Sequence, residues 1–247
     1  SLNNFWLINM KIIDFEAIDS TNTYLKHNHN NLEDFTFVSA KYQSKGRGRG
    51  SRVWKSENGT NLLFSLLIKE ESLINKFKDI SIISAYSLIQ VLEEKYHISD
   101  LSIKWPNDIY YKDNKICGIL LEAVTTDKID CLIVGIGLNV NQKEFDDDLR
   151  HPAYSVSLIL NRDIEIAELK QSIYEQLAFN LQKLKQDEDF YDNIVKYDYL
   201  KNKEVYADID NEVKKIKVVG INRDYSLRIE DGNEFRDLFT GEISFHL

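Results

Sequence analysis

Apolar and polar residues alternate over Lys11 to Ile18 (KIIDFEAI), which predicts a short strand. Asp19-Ser20-Thr21-Asn22 then sets consecutive N-cap residues before Tyr24 and Leu25, so a helix starts there, and Asn28 to Asn31 breaks it. Phe35 to Gln43 has strand composition, Asn58-Gly59 a turn, and Asn61 to Lys69 (NLLFSLLIK) the near-continuous apolarity of a buried strand. Apolar residues recur at helical spacing from Leu73 to Tyr96, through Ile80, Ile83, Leu88 and Leu92, predicting one amphipathic helix laid on a sheet. Short strands at Leu101 to Lys104 and Ile109 to Tyr111 flank Trp105-Pro106-Asn107-Asp108, and longer ones follow at Ile116 to Val124 and Ile129 to Val140. The order implies an α+β fold, a hairpin-rich mixed sheet with helices on one side.

Ser155 to Leu160, Ile166 to Leu184 and Tyr191 to Leu200 read as helical, with an acidic break at Gln186 to Asp189. The pattern then changes to short alternating strands at Glu204 to Ile209, Val213 to Ile221, Leu227 to Glu230, Glu234 to Leu238 and Glu242 to Phe245. Such strands, parted by turns such as Asp231-Gly232-Asn233, suggest a small C-terminal barrel. The expected division is therefore 1–199 and 200–247.

Composition narrows the function more than the fold. The chain carries a net charge of -9, which argues against non-specific binding to nucleic acid or an anionic membrane. No apolar run approaches the ~20 residues that span a bilayer, and no secretory signal is visible at the start. Cys117 and Cys131 have no C-x-x-C spacing, and the scattered histidines form no metal pattern. A cytoplasmic enzyme or binding protein fits these totals best.

Against that acidity, Lys41 to Lys55 holds six basic residues and no acidic one, with Gly46, Gly48 and Gly50 at alternate positions. Glycine permits close backbone approach to a ligand, and arginine offers a planar fork for carboxylate or phosphate oxygens. Read alone, this loop is an anion clamp, a nucleic-acid contact or a flexible surface loop. Ser20-Thr21-Asn22 is a helix cap or a polar ligand contact. Lys104-Trp105-Pro106-Asn107-Asp108 is a hairpin corner or part of a site, and Lys115 is a hairpin lysine or a charge reaching into a cleft. Gly135 and Gly137 lie within a strand, where glycine lets a ligand or another backbone come close.

Taken in order, D-S-T-N, Y-Q-x-x-G-R-G-R-G-x-x-x-W, K-W-P-N-D, K-I-x-G-I-L-x-E and G-I-G-L-N-V-N resemble the biotin–protein ligases from about Ile13 to Asn141. Phe239-Thr240-Gly241-Glu242-Ile243-Ser244 is similar to the closing strand of their C-terminal barrel, whereas Gln142 to Lys203 matches no motif. The resemblance implies a catalytic domain like those of class II synthetases joined to an SH3-like barrel. It implies biotin and ATP with Mg2+ as substrates, a biotinyl-5′-AMP intermediate, and transfer to a lysine of a biotin carboxyl carrier domain. By the same resemblance, Ser20, Thr21, Asn22 and Gln43 contact biotin, with Gly46, Gly118 and Leu120 lining its pocket. Arg47, Arg49, Arg52, Trp54, Asn107 and Asn139 face the nucleotide, Asp108 helps place a metal or fixes the turn, and Lys115, with Arg47 and Arg49, is catalytic. A homodimer through the central sheet and the absence of a DNA-reading module are further expectations. A lipoate or octanoyl transferase of related fold and a non-catalytic anion- or nucleic-acid-binding module stand as alternatives.

Overall fold

The computed structural model describes residues 10–50, 52–146, 152–209, 212–239 and, for the backbone, 245–246. The principal sheet contains β1 (Lys11–Ile18), β2 (Thr36–Gln43), β3 (Leu62–Ile68), β4 (Leu101–Lys104), β5 (Asp108–Tyr111), β6 (Asn114–Thr125) and β7 (Ile129–Leu138), ordered β1-β2-β3-β7-β6-β5-β4. β1 runs parallel to β2 and the other neighbours are antiparallel, so the sheet is mixed. The central β3 is buried along its length, which explains an apolar run broken only by Ser65.

One face of the sheet carries α3 (Phe77–Tyr96) and α5 (Ile166–Lys185), whose apolar sides merge with Phe37, Phe64, Leu66, Val134 and Ile136 in the main core. Phe37 stacks on Tyr174 of α5 with centroids 4.1 Å apart. α3 is buried on most of its circumference rather than along a stripe, because it lies between sheet and α5. Its serines fit this setting by donating back one turn, Ser84 Oγ to the Ile80 carbonyl at 2.7 Å and Ser87 Oγ to that of Ile83 at 2.8 Å.

Helices are not confined to that side. α1 (Thr21–Asn28) packs on the opposite face, where Leu25 meets Val38, Leu67, Cys131 and Ile133. The segment expected as one helix from Leu73 divides into α2 (Glu71–Ile74) and α3, with a break at Asn75-Lys76. Lys76 leaves the helical backbone conformation there, with its N–H donating to the Leu73 carbonyl at 2.9 Å, while its ammonium donates to the Leu184 carbonyl at 2.6 Å, at the end of α5. α4 (Val156–Leu160) forms as expected, capped by Ser155. The helix expected over Tyr191 to Leu200 is only α6 (Tyr191–Ile194) and a 3-10 turn, Val195–Tyr197. Asp198 stops it by accepting from Leu200 N, Lys201 N and Ile221 N, while its backbone bridges Ile103.

A second sheet, wholly antiparallel, has the order β11-β10-β9-β8-β12 from β8 (Glu204–Ile209), β9 (Glu212–Ile221), β10 (Leu227–Asp231), β11 (Glu234–Leu238) and β12 (Phe245–His246). It is consistent with an SH3-like unit. Thr240 to Ser244, which carry most of the closing motif, lie outside the described residues. Leu181→Ala in α5, at a position with no exposed surface, should destabilise the protein by about 2–5 kcal/mol in urea unfolding. A change within error would mean that α5 is not held by the shared core.

Candidate active site

The sheet face that carries α1 also carries the polar chemistry. Strand alternation sends Ile119 and Leu121 of β6 into the main core and leaves Gly118, Leu120 and Glu122 facing the other way. On β7 the same alternation leaves Gly135 and Gly137 on that face. Gly118 and Gly137 are direct cross-strand partners and form a floor without side chains.

The Trp54 indole lies on this floor. A methyl group at Gly137 would stand 2.5 Å from Trp54 Cε2, and one at Gly118 would stand 2.8 Å from Trp54 Cζ3. The ring is delivered by a small hairpin in the cationic loop. Arg47 bridges Val53, Gly48 N donates to the Arg52 carbonyl at 2.9 Å, and Trp54 N donates to that of Gly46 at 3.0 Å. Trp54 Nε1 is buried and has no hydrogen-bond partner among the described residues. A buried donor without an acceptor is costly, and the ring loses no hydrogen bond on leaving this floor.

Two carboxylates hold the cations beside the floor. Lys115 Nζ pairs with Asp108 Oδ1 at 2.8 Å and lies 5.6 Å from the Trp54 ring centroid. Arg47 Nη1 pairs with Glu122 Oε1 at 3.1 Å. In an unbroken pleat, residues three apart face opposite sides, yet the Lys115 ammonium would be 3.2 Å from a methyl on Gly118. The β5–β6 register shifts between Ile109 and Tyr110, and the bulged Ile116 turns Lys115 to the floor's side. Arg49 is half-buried; burial lowers its pKa and Asp108 opposes the shift.

A second cluster closes the other end. Ser20 caps α1 and accepts from Thr23 N at 3.4 Å. Thr21 Oγ1 donates to Gln43 Oε1 at 3.0 Å and lies 2.7 Å from Ser65 Oγ, which donates to Asn22 Oδ1 at 2.5 Å. Asn22 Nδ2 donates to Glu122 Oε2 at 2.8 Å, so this cluster joins the Arg47 ion pair. Two hydroxyl protons serve three contacts here, a shortage that a ligand N–H would fill.

The remaining expected residues are built into the frame. Asn107 Nδ2 donates to the Ile119 carbonyl, and Asn139 Nδ2 to that of Tyr154 at 3.1 Å. Asp108, expected to help place a metal, is occupied with Lys115, and no group of three metal-ligating side chains occurs among the described residues. A carboxylate ringed by Lys115, Lys104 and Arg49 does not suit a protein-held cation. Arg52 is exposed on the hairpin. Ser65, Glu122, Gly137 and Lys104 were not among the expected site residues, although Glu122, Gly137 and Lys104 fall in stretches already singled out. Ser65 had its own local signal, a lone hydroxyl in an otherwise apolar strand.

The profile of the biotin/lipoate A/B protein ligase family matches residues 15–139, and the chain belongs to that family. Among its relatives is the Bifunctional ligase/repressor BirA of Bacillus subtilis (strain 168), 37% identical over 148 residues, 59% of this chain and 45% of that protein. The Bifunctional ligase/repressor BirA of Escherichia coli (strain K12) is 27% identical over 232 residues, covering 92% of this chain and 72% of its own length. The chain thus spans about half the length of the Bacillus relatives. The biotin protein ligase from Aquifex aeolicus in complex with biotin and ATP superposes with a TM-score of 0.85 at 29% identity, covering 95% of this chain and 98% of that one.

Lys104, absent from the expected set, has a titration to be measured. Burial brings its ammonium down to about 8; Asp108 opposes this, and Lys115, Arg52 and Arg49 add to it. From about pH 8 to the ordinary lysine value, the unfolded chain then holds a proton that the folded chain lacks, so stability rises with pH there. The parent should gain stability relative to Lys104→Met in urea unfolding between about pH 7.5 and 9.5. A pH-independent difference would mean that Lys104 titrates as an exposed lysine does.

Proposed function

We propose that this chain is an ATP-dependent ligase that activates biotin as biotinyl-5′-AMP and transfers it to a lysine of a biotin carboxyl carrier domain. The observation that carries the reading is the Gly118–Gly137 floor beneath Trp54, flanked by Lys115 and Arg47, each held by a carboxylate. Joining a carboxylate to an α-phosphate brings two anions together, and preorganised cations lower the cost of the encounter. Lys115 would exchange Asp108 for these anions, and Arg47 would exchange Glu122. Arg49 and Arg52 would screen the remaining phosphate charge.

In this reading Ser20, Thr21, Asn22 and Gln43 receive the ureido ring of biotin, whose N–H groups supply the missing donors, and Gly46, Gly118 and Leu120 line its seat. Trp54 leaves the floor when the ligand arrives and stacks on the adenine, while Asn107 and Asn139 support the nucleotide side. The hairpin then excludes water from the mixed anhydride. Magnesium enters with ATP as part of the substrate, and no group of three metal-ligating side chains among the described residues would hold it beforehand.

We also propose a division into residues 1–199 and 200–247, the second sheet being the smaller unit. A homodimer through the central sheet belongs to the proposal, supported by β1 standing at one end of the strand order. No helix among the described residues is long and apolar enough to cross a membrane. A cytoplasmic setting is supported by the two free cysteines.

The family also embraces lipoate ligases, so the decisive assay is pyrophosphate release with biotin and, separately, with lipoate. Activity with biotin is expected; activity with lipoate alone would overturn the substrate assignment. Lys115→Ala should lower the single-turnover rate of adenylate formation by about 10²–10³-fold and leave biotin affinity nearly intact. Equal rates in variant and parent would remove Lys115 from the chemistry.

A further inference from the structure

The corner Trp105-Pro106-Asn107-Asp108 is fastened at both ends. On the site side, Ile119 N donates to the Asn107 carbonyl at 2.9 Å, the Asn107 amide donates back to the Ile119 carbonyl, and Asp108 holds Lys115. On the other side, the Trp105 indole, only 2% exposed, donates from Nε1 to the Tyr225 carbonyl at 2.8 Å. Tyr225 belongs to the second sheet, in the turn between β9 and β10.

That turn is stiff and seated. Asn222 N donates to the Ser226 carbonyl at 2.8 Å, Tyr225 N to that of Asn222 at 2.9 Å, and Asn222 Nδ2 to Ser226 Oγ at 3.0 Å. Next to it, Arg223 pairs with Asp189 at 2.7 Å and lies 4.8 Å from the centroid of the Tyr191 ring. The Tyr191 hydroxyl donates to the Ile221 carbonyl at 3.0 Å. The Asp198 carboxylate, which takes Ile221 N at 3.0 Å, adds another fastening close by.

We propose that Trp105 is a positioning residue for the reaction. Its indole N–H, anchored on the Tyr225 carbonyl, fixes the corner that carries Asn107 and Asp108 and so aims Lys115 at the reacting anions. The second sheet thereby serves the chemistry without touching a substrate. This rests on the ligase reading above and adds a residue and a route to it. A Trp105 that merely filled the core would affect stability alone. A strut also changes the rate of the fully folded, saturated enzyme, because small misplacement of a charge that acts in the transition state is costly.

The test compares Trp105→Phe, which keeps an apolar ring but removes the donor, with the turn variant Asn222→Ala/Ser226→Ala and with Leu181→Ala as a stability control. Each is assayed at a temperature where it is folded, for single-turnover adenylate formation at saturating biotin and ATP and for biotin Kd. Trp105→Phe should slow adenylate formation about tenfold and the turn variant about threefold, with biotin Kd within about twofold of the parent and Leu181→Ala at the parent rate. The proposal is overturned if Trp105→Phe matches the parent rate, or if Leu181→Ala loses rate as much as Trp105→Phe does. Should Trp105→Phe not fold, the turn variant decides, and a parent-like rate rejects the strut. A parent that activates lipoate and not biotin would sink the substrate assignment alone, since the same comparison is then made with lipoate.

Discussion

The site depends on two acids that restrain two bases. Asp108 holds Lys115 and Glu122 holds Arg47, and without them the hairpin cations would repel one another across a partly buried floor. Lys104 and Arg49 bind their protons less firmly than free side chains, first because they are buried and then because neighbouring cations crowd them, with Asp108 opposing. In the proposed reaction the two ion pairs would trade their carboxylates for the anionic groups of a ligand. Exchange of one anion for another costs little reorganisation, the property that makes preorganised charge effective in catalysis.

The sheet supplies the geometry for that exchange. Glycines at facing positions of β6 and β7 leave a flat patch wide enough for an indole, and a bulge at Ile116 turns Lys115 onto it. Ser65, from the buried middle of β3, brings its hydroxyl to Asn22 and Thr21 on the first turn of α1. The cap that starts this helix and the polar cluster of the site are therefore the same short segment, and stability and chemistry share residues. The chain's membership of the biotin/lipoate A/B protein ligase family fits the proposal that this site joins two acids.

Much of this was legible in the residues. Strand β1, the Ser20 cap, the alternating glycines of the cationic loop and the short strands of the C-terminal sheet each had a local signature, because local chemistry dictates them. What could not be read depends on register and on distant partners. That Gly118 faces Gly137 follows from pairing strands, and that Lys115 shares a face with Gly118 follows from an extra residue that no composition reveals. At the helix break of Asn75-Lys76, the lysine side chain reaches a carbonyl more than a hundred residues away in sequence, at Leu184. The short helical stretch after α6 ends where the Asp198 carboxylate finds local donors at Leu200 and Lys201 and a distant one at Ile221 in the second sheet. Helix α1 crosses to the opposite face because Leu25 has its own apolar partners there.

The most direct test of the central claim is a crystal structure with biotin and ATP bound. The account predicts Trp54 lifted from the Gly118–Gly137 pair, with the Lys115 ammonium turned from Asp108 to the ligand's acidic groups. Ligands bound while Trp54 still lies on Gly137 and Lys115 still grips Asp108 would contradict it.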